Sequence, residues 1–419
     1  AEMDKVSDWM RPTGAYQSRD MDVTMKGIAE KRPETVKPGY IMRPRYPYMK
    51  NGLGIRTARN SRSPYWIKEI GESKYGLFEG DEKVEEVYFP GYKRWADEAF
   101  TSKGSPVTSL IAFDRHCFSF GATRFCEYFS RGEQCKFCNY NATQDDARSL
   151  GTSVPIHVDL DETVEAYKIF TSQTRVVEGR FEMGGFKDHD NEVKIHLNFV
   201  ESMAKAAPYT PYFVINSQPM SRKNLERLRD AGISAITHQM EVWDPELFEE
   251  VCPGKARRDG HDGYKQGFLD AIDVFGVGNV AGLFVGGLNL MPDNGRQTWQ
   301  EARDTMVEGY QWLATHGVIP CIFALRLGVG SVYGDNPASW DRLAPTEYYL
   351  DLALDHHQVM TENDLYAKFK LVLCPLDCFP AFYAGDIGFL ANYGNIANWA
   401  EQRVPAGTNW LAGFIESVK

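Results

Sequence analysis

From about Pro106 the chain alternates between short apolar runs and segments whose apolar residues recur at helical spacing, and it keeps this up to about residue 328. The first run lies within VTSLIAF or CFSFGATRF. Asp159 and Glu162 have the spacing of a capping box ahead of VEAYKIF, where Val164, Tyr167 and Phe170 share one face. Strand GRFEMGG at 179–185 follows, then a helix with Val193, Leu197, Val200 and Ala204 at its apolar positions, then strand YFVIN at 212–216. Ser221 caps the next helix, Leu225 and Leu228 face inward, and Gly232 stops it. Strand SAITHQME ends at Glu241. Asp244 and Pro245 open a helix that runs to Cys252 and is ended by Pro253 and Gly254. Tyr264, Phe268, Ile272 and Phe275 mark a further helix, and NVAGLFVGGL is a fifth strand, apolar as one covered on both faces should be. Trp299, Met306, Tyr310 and Leu313 define a long helix stopped by Gly317, and VIPCIFALRL is the sixth strand.

Strands alternating with helices predict parallel strands joined by crossover helices. Six such units make an α/β fold, a partial TIM-like (β/α)6 barrel over 106–328, with its site expected at the C-terminal ends of the strands. Residues 1–105 read as an irregular arm, rich in charge, Arg and Pro, followed by a small β subdomain around a turn at Gly80 and Asp81. Residues 329–419 read as a capping extension with a turn-rich start, one good helix and a tail rich in Tyr, Trp and Asn.

Composition narrows the function classes. A hydrophobic fraction of 43% suffices for a large core, and the net charge of −11 argues against a protein that tracks nucleic-acid phosphates. Apolar runs are short and interrupted, and AEMDKVSDWM is not a signal peptide, so a soluble, cytoplasmic protein without a membrane span is expected. Eight cysteines are too few for a disulfide scaffold in a chain of 419 residues, and their clustering favours metal binding. Cys252 and Cys321 lie in apolar or helical settings and read as small buried side chains.

The chemistry concentrates in RFCEYFSRGEQCKFCNYN, residues 124–141. Cys135 and Cys138 form a C-x2-C pair, Cys126 lies upstream, and Phe137 immediately precedes the last cysteine. Three thiolates leave a [4Fe–4S] cluster with one open iron, whereas a structural zinc takes four closed ligands, which Cys117 could complete. The loop resembles the cluster loop of the radical S-adenosylmethionine (SAM) enzymes, whose usual C-x3-C-x2-C spacing is here C-x8-C-x2-C. The resemblance covers roughly residues 108–328. It implies a cluster on Cys126, Cys135 and Cys138, SAM chelating the fourth iron, and an oxygen-sensitive enzyme reduced by a donor such as flavodoxin or ferredoxin.

It also implies groups for SAM at later strand ends. Met183-Gly184-Gly185 resembles the family's GGE segment, with Phe186 in the place of the acid and Glu182 or Asp188 as neighbouring acids. Glu241 stands where the family places a polar group on SAM, and Gly278-x-Val280-x-Gly282-x-x-Val285 resembles its GxIxGxxI adenine-contacting pattern. Ser217 and Arg326 are polar groups at strand ends able to hold the SAM carboxylate or the substrate. DGHDGY at 259–264 departs from the D-x-H-x-x-G cobalamin motif by one residue, and Cys374 and Cys378, with Cys117 or Cys252, could ligate a second cluster. His356 and His357 read as partly exposed. The reading is hydrogen abstraction from a small-molecule substrate by a 5′-deoxyadenosyl radical. Peptide modification by the same radical, and a zinc-stabilised barrel with a hydrolytic or binding role, are the alternatives.

Overall fold

Six parallel strands, each leading through a helical crossover to the next, carry the molecule. The computed structural model describes residues 48–49, 65–71, 74–88, 99–114, 117–141, 157–173, 178–206, 212–291, 297–325, 327–328, 330–365 and 368. Arg326, Cys374 and Cys378 lie outside these residues.

The strands are β6 (Cys117–Gly121), β7 (Glu178–Glu182), β8 (Tyr212–Ser217), β9 (Ile233–Glu241), β10 (Val280–Gly286) and β11 (Ile319–Ala324), adjacent in chain order. β5 (Ala112–Asp114) adds an antiparallel strand beside β6, so the sheet runs β11-β10-β9-β8-β7-β6-β5 and is not closed. This is the α/β architecture of a partial TIM-like barrel. A separate antiparallel sheet holds β1 (Tyr48–Met49), β2 (Tyr65–Gly71), β3 (Lys74–Glu79) and β4 (Glu82–Tyr88), in the order β1-β4-β3-β2. Glu79 pairs with Glu82 across the two-residue turn of Gly80 and Asp81, where Gly80 takes the left-handed φ of 57°.

Local chemistry sets the helix ends. The Ser221 hydroxyl accepts from Asn224 N at the start of Arg222–Asp230, Asp244 caps Pro245–Val251, and Thr298 with Glu301 closes a capping box on Trp299–Thr315. Asp159 caps Leu160–Gln173 by accepting from Glu162 N, while the buried Glu162 carboxylate reaches Thr101 Oγ1 at 2.6 Å. The helix opened by Asp244 and Pro245 ends at Val251 with Cys252 as its cap, and Pro253 starts a second short helix, Pro253–Arg258, where a proline N–H is not needed. One expectation needs correction. His356 is buried, not partly exposed, with Nε2 2.8 Å from Pro320 O, while His357 is exposed.

Alternation along the strands gives the sheet two faces. Phe118 lies against Tyr167 at 5.0 Å between ring centroids, Phe120 against Phe199 at 5.3 Å, and Phe284 against Tyr310 at 6.2 Å, all helical partners. These residues mark the outer, helix-covered face and the main core. Residues between them point the other way. Among the described residues no helix is long and apolar enough to cross a membrane.

Candidate functional site

β6 runs straight into the cysteine loop. Cys126 is followed by the short 3-10 turn Glu127–Arg131, which Gly132 ends at a left-handed φ of 67°. Cys126 N donates to Asn141 Oδ1 at 3.1 Å, closing the loop's two ends, and Cys138 N donates to Cys135 O at 3.0 Å in a tight turn. All three cysteines are partly exposed and free, and Cys135 and Phe137 pack against the main core.

The loop is fastened to the end of β7. Glu127 N donates to Gly185 O at 3.0 Å, and Lys187 N donates to Glu127 Oε2 at 2.7 Å. A Cβ on Gly184 would lie 2.3 Å from Phe125 O and 2.6 Å from Cys126 Cα. Only glycine allows that approach. Phe186, in the place of the family's acid, turns its carbonyl to Arg258 Nη1 at 2.8 Å and Gln218 Nε2 at 3.1 Å. Asp188 does not replace the acid, because its Oδ1 accepts from Asp190 N and Asn191 N at the start of helix His189–Ala206. Glu182 is exposed and accepts from Asn216 Nδ2 at 3.4 Å.

Behind the loop, Tyr128 Oη donates to Gln218 Oε1 at 2.6 Å, Gln218 donates to Glu192, and Arg258 Nη1 lies 2.8 Å from Glu192 Oε2. This buried chain joins the cysteine loop to the ends of β7 and β8 and to Pro253–Arg258.

Glu241 ends β9 with φ at 73°, left-handed for a residue that is not glycine, a conformation costing about 1–2 kcal/mol. Lys255 Nζ lies 2.6 Å from Glu241 Oε1, and both side chains are under one-tenth exposed. Burial works against the Lys255 charge, yet the Glu241 carboxylate holds it well above the usual lysine value. Cys252 was expected to be an ordinary packing residue. It is buried, and burial raises its thiol, with the neighbouring Cys135 adding to the rise, while Cys252 in turn lowers the Cys135 thiol.

The three loop thiols share one electrostatic environment. Burial pushes Cys126 up to about 11, and Cys135 adds to the rise; Cys138 is raised by burial and then by Cys135 and Cys126. Bound cations relieve such mutual repulsion by holding the thiolate form. Among the described residues no group of three His, Cys, Asp or Glu side chains is placed to chelate one ion. A four-iron cluster, by contrast, spreads its thiolates over separate corners of a cube, and three adjacent cysteines on one loop fit that donor set. Cys117 opens β6, paired with Asp114 and Glu178 at the N-terminal end of the sheet, a strand's length from the end that leads into the loop.

Strand parity sets where Ser217, Val280 and Gly282 face. Ser217, His238 and Gly282 are register partners across β8, β9 and β10. The Ser217 hydroxyl is 3.3 Å from His238 Nδ1, the His238 ring lies 5.5 Å from Phe268, and a Cβ on Gly282 would meet Leu313 at 2.6 Å and Phe268 at 3.0 Å. All three therefore face the helical layer. Gly282 makes room for helix packing, and Val280, buried at the start of β10, lies at the far end from the cysteines. His261 of the DGHDGY stretch is 2.6 Å from Trp243 O within the fold.

The inner face is polar. Arg180, paired with Ser119 and Val214, is 1% exposed, and its Nη1 reaches Asn216 Oδ1 at 3.4 Å. Sequence reasoning missed Arg180, Lys255, Cys252 and the Tyr128–Gln218–Glu192–Arg258 chain. The C-terminal-end rule pointed to the region, but no spacing links these residues.

No known protein-family model matches the sequence, and no curated protein matches it. Among solved structures, the chain is similar to the FeFe-hydrogenase maturase HydG from Carboxydothermus hydrogenoformans, at 14% identity and TM-score 0.43, over 58% of this chain and 51% of that one. It is similar to coproporphyrinogen III oxidase HemN from Escherichia coli, at 11% identity and TM-score 0.41, over 66% of this chain and 59% of that one. A methyltransferase from Sphaerobacter thermophilus aligns at 10% identity and TM-score 0.40, over 71% of this chain and 75% of that one. The chain thus spans about half the length of the first of these structures. The second and third are both described as radical SAM enzymes.

Proposed function

We propose that this protein is a radical SAM enzyme acting on a small-molecule substrate, with residues 106–328 as its catalytic unit. Cys126, Cys135 and Cys138 would hold a [4Fe–4S] cluster, and Met183–Gly185 and Glu241 would hold SAM. The observation that carries the reading is the position of the three cysteines. They sit at the C-terminal ends of parallel strands, with Cys126 backed so closely by Gly184 that no side chain fits between.

Bound there, the cluster and SAM supply a 5′-deoxyadenosyl radical able to take a hydrogen atom from an unactivated carbon. The chain's own residues bind and orient. Gly184 and Gly185 let backbone rather than side chain line the approach to Cys126. Glu241 presents a carboxylate whose orientation Lys255 holds, and its second oxygen is the one suited to a ligand hydroxyl or ammonium. Tyr128, through Gln218 and Arg258, keeps the loop in register with the ends of β7 and β8. The inner-face polar groups Arg180, Asn216 and Glu182 are suited to a polar substrate. Electrons come from a low-potential donor such as flavodoxin or ferredoxin, consistent with a cytoplasmic setting.

The test is anaerobic reconstitution with iron and sulfide, reduction, and addition of SAM, with Cys135→Ala as control. The expected result is a brown protein that releases 5′-deoxyadenosine and an inactive variant. A protein that takes up zinc in preference to iron overturns the reading.

A further inference from the structure

We propose that Cys135 and Cys252 are a dithiol pair that closes to a disulfide when the loop carries no cluster. Two backbone hydrogen bonds set the pair up. Lys136 N donates to Val251 O at 2.9 Å, and Gly254 N donates to Glu133 O at 3.0 Å. They hold 133–136 beside 251–254, and the first bond joins the chain neighbours of Cys135 and Cys252. Pro253 has no N–H to give, so the second bond falls one residue further out, on Gly254. Two cysteines can be bridged where their Cα atoms stand about 4.4–6.8 Å apart.

The close approach is built in. A Cβ on Gly254 would lie 2.6 Å from Glu133 O and 2.3 Å from Tyr128 Cδ1, so any larger residue would push the segments apart. Cys135 is partly exposed and Cys252 buried, which orders the chemistry. The Cys135 sulfur attacks a small-molecule disulfide, forming a mixed disulfide and releasing one small thiol. The Cys252 sulfur then attacks the Cys135 sulfur, forming the internal bond and releasing the second. Two S–H bonds of the protein are exchanged for one S–S bond, and the oxidant is reduced to two thiols. On the cluster reading proposed above, the consequence is withdrawal of one ligand, so the oxidised chain takes up no iron until a dithiol reduces it.

The experiment uses the full chain, prepared anaerobically without iron, with oxidised glutathione as the probe. Free thiols are blocked with N-ethylmaleimide and the digest is mapped by mass spectrometry. The expected product is a cross-linked peptide pair joining Cys135 to Cys252, absent from Cys252→Ser and from Cys252→Ala, in which glutathione stays on Cys135. Cross-links confined to Cys126, Cys135 and Cys138, or a Cys252 that is fully alkylated after oxidation, overturn the proposal. The cross-link is read without any cluster, so its presence in a chain that never binds iron would sink the radical reading and leave this one standing. Reduced wild type that loads iron yet forms no such cross-link would do the reverse.

Discussion

Lys255 Nζ lies 2.6 Å from Glu241 Oε1 and 2.6 Å from Gln239 O, joining a short helix to the last turn of β9. Glu241 holds a left-handed backbone at that point, so the ion pair restrains both charge and conformation. Replacing Lys255 by Met leaves a buried carboxylate without its cation. Urea unfolding should register a loss of about 3–5 kcal/mol. The double variant Lys255→Met with Glu241→Gln should recover part of it, since no uncompensated charge remains.

Gly184→Ala should strike the cysteine loop directly. The added methyl meets the Phe125 carbonyl and the Cys126 Cα, both backbone, so the loop must move. After reconstitution, iron content and the broad visible absorbance should fall to less than half of wild type, while circular dichroism shows the helices intact. An alanine variant that loads iron normally would mean that Cys126 is not held where the structure places it.

Tyr128→Phe removes one buried hydroxyl and takes from Gln218 Oε1 its 2.6 Å donor. A stability loss of about 1–3 kcal/mol is expected in denaturant titration. Gln218→Leu added to it should cost less than the sum of the two, because the pair acts as one unit.

Acid should destabilise the protein through three buried imidazoles. Burial lowers His196 to about 3, His238 to about 4 and His356 to about 4, all from 6.5. Their folded-state pKa values are depressed, so the unfolded chain takes up protons first as pH falls below about 6.5. Each histidine then costs up to about 1.4 kcal/mol per pH unit until its folded pKa is reached. Melting temperatures of the cluster-free chain should drop between pH 7 and pH 4.5. His196→Phe should flatten that slope, since neither His196 ring nitrogen has a hydrogen-bond partner.

Periodicity was a good guide to element type and order. GRFEMGG, YFVIN, SAITHQME, NVAGLFVGGL and VIPCIFALRL all contain strands of the parallel sheet, and Asp159, Ser221 and Asp244 start their helices through side-chain caps. Facing was less legible. Gly282 lies in a near-continuous apolar run, where no alternation tells which side is inward. Its own approach to Leu313 and Phe268, and its register partner His238 packed on Phe268, show that it faces the helices.

What the sequence determined by itself was local: alternating strands and helices, the C-x2-C turn with Cys126 upstream, and the glycines after β7. Each follows from residues close together in the chain, through propensity, capping and thiol chemistry. Tertiary structure decided that the segment of Cys252 lies beside the loop, that Lys255 answers Glu241, and that Arg180 faces inward. Those outcomes depend on register and on contacts between distant segments. A slip of one residue exchanges the faces of a strand, and in β9 the register shift opposite Leu283 and Phe284 does so just before Glu241.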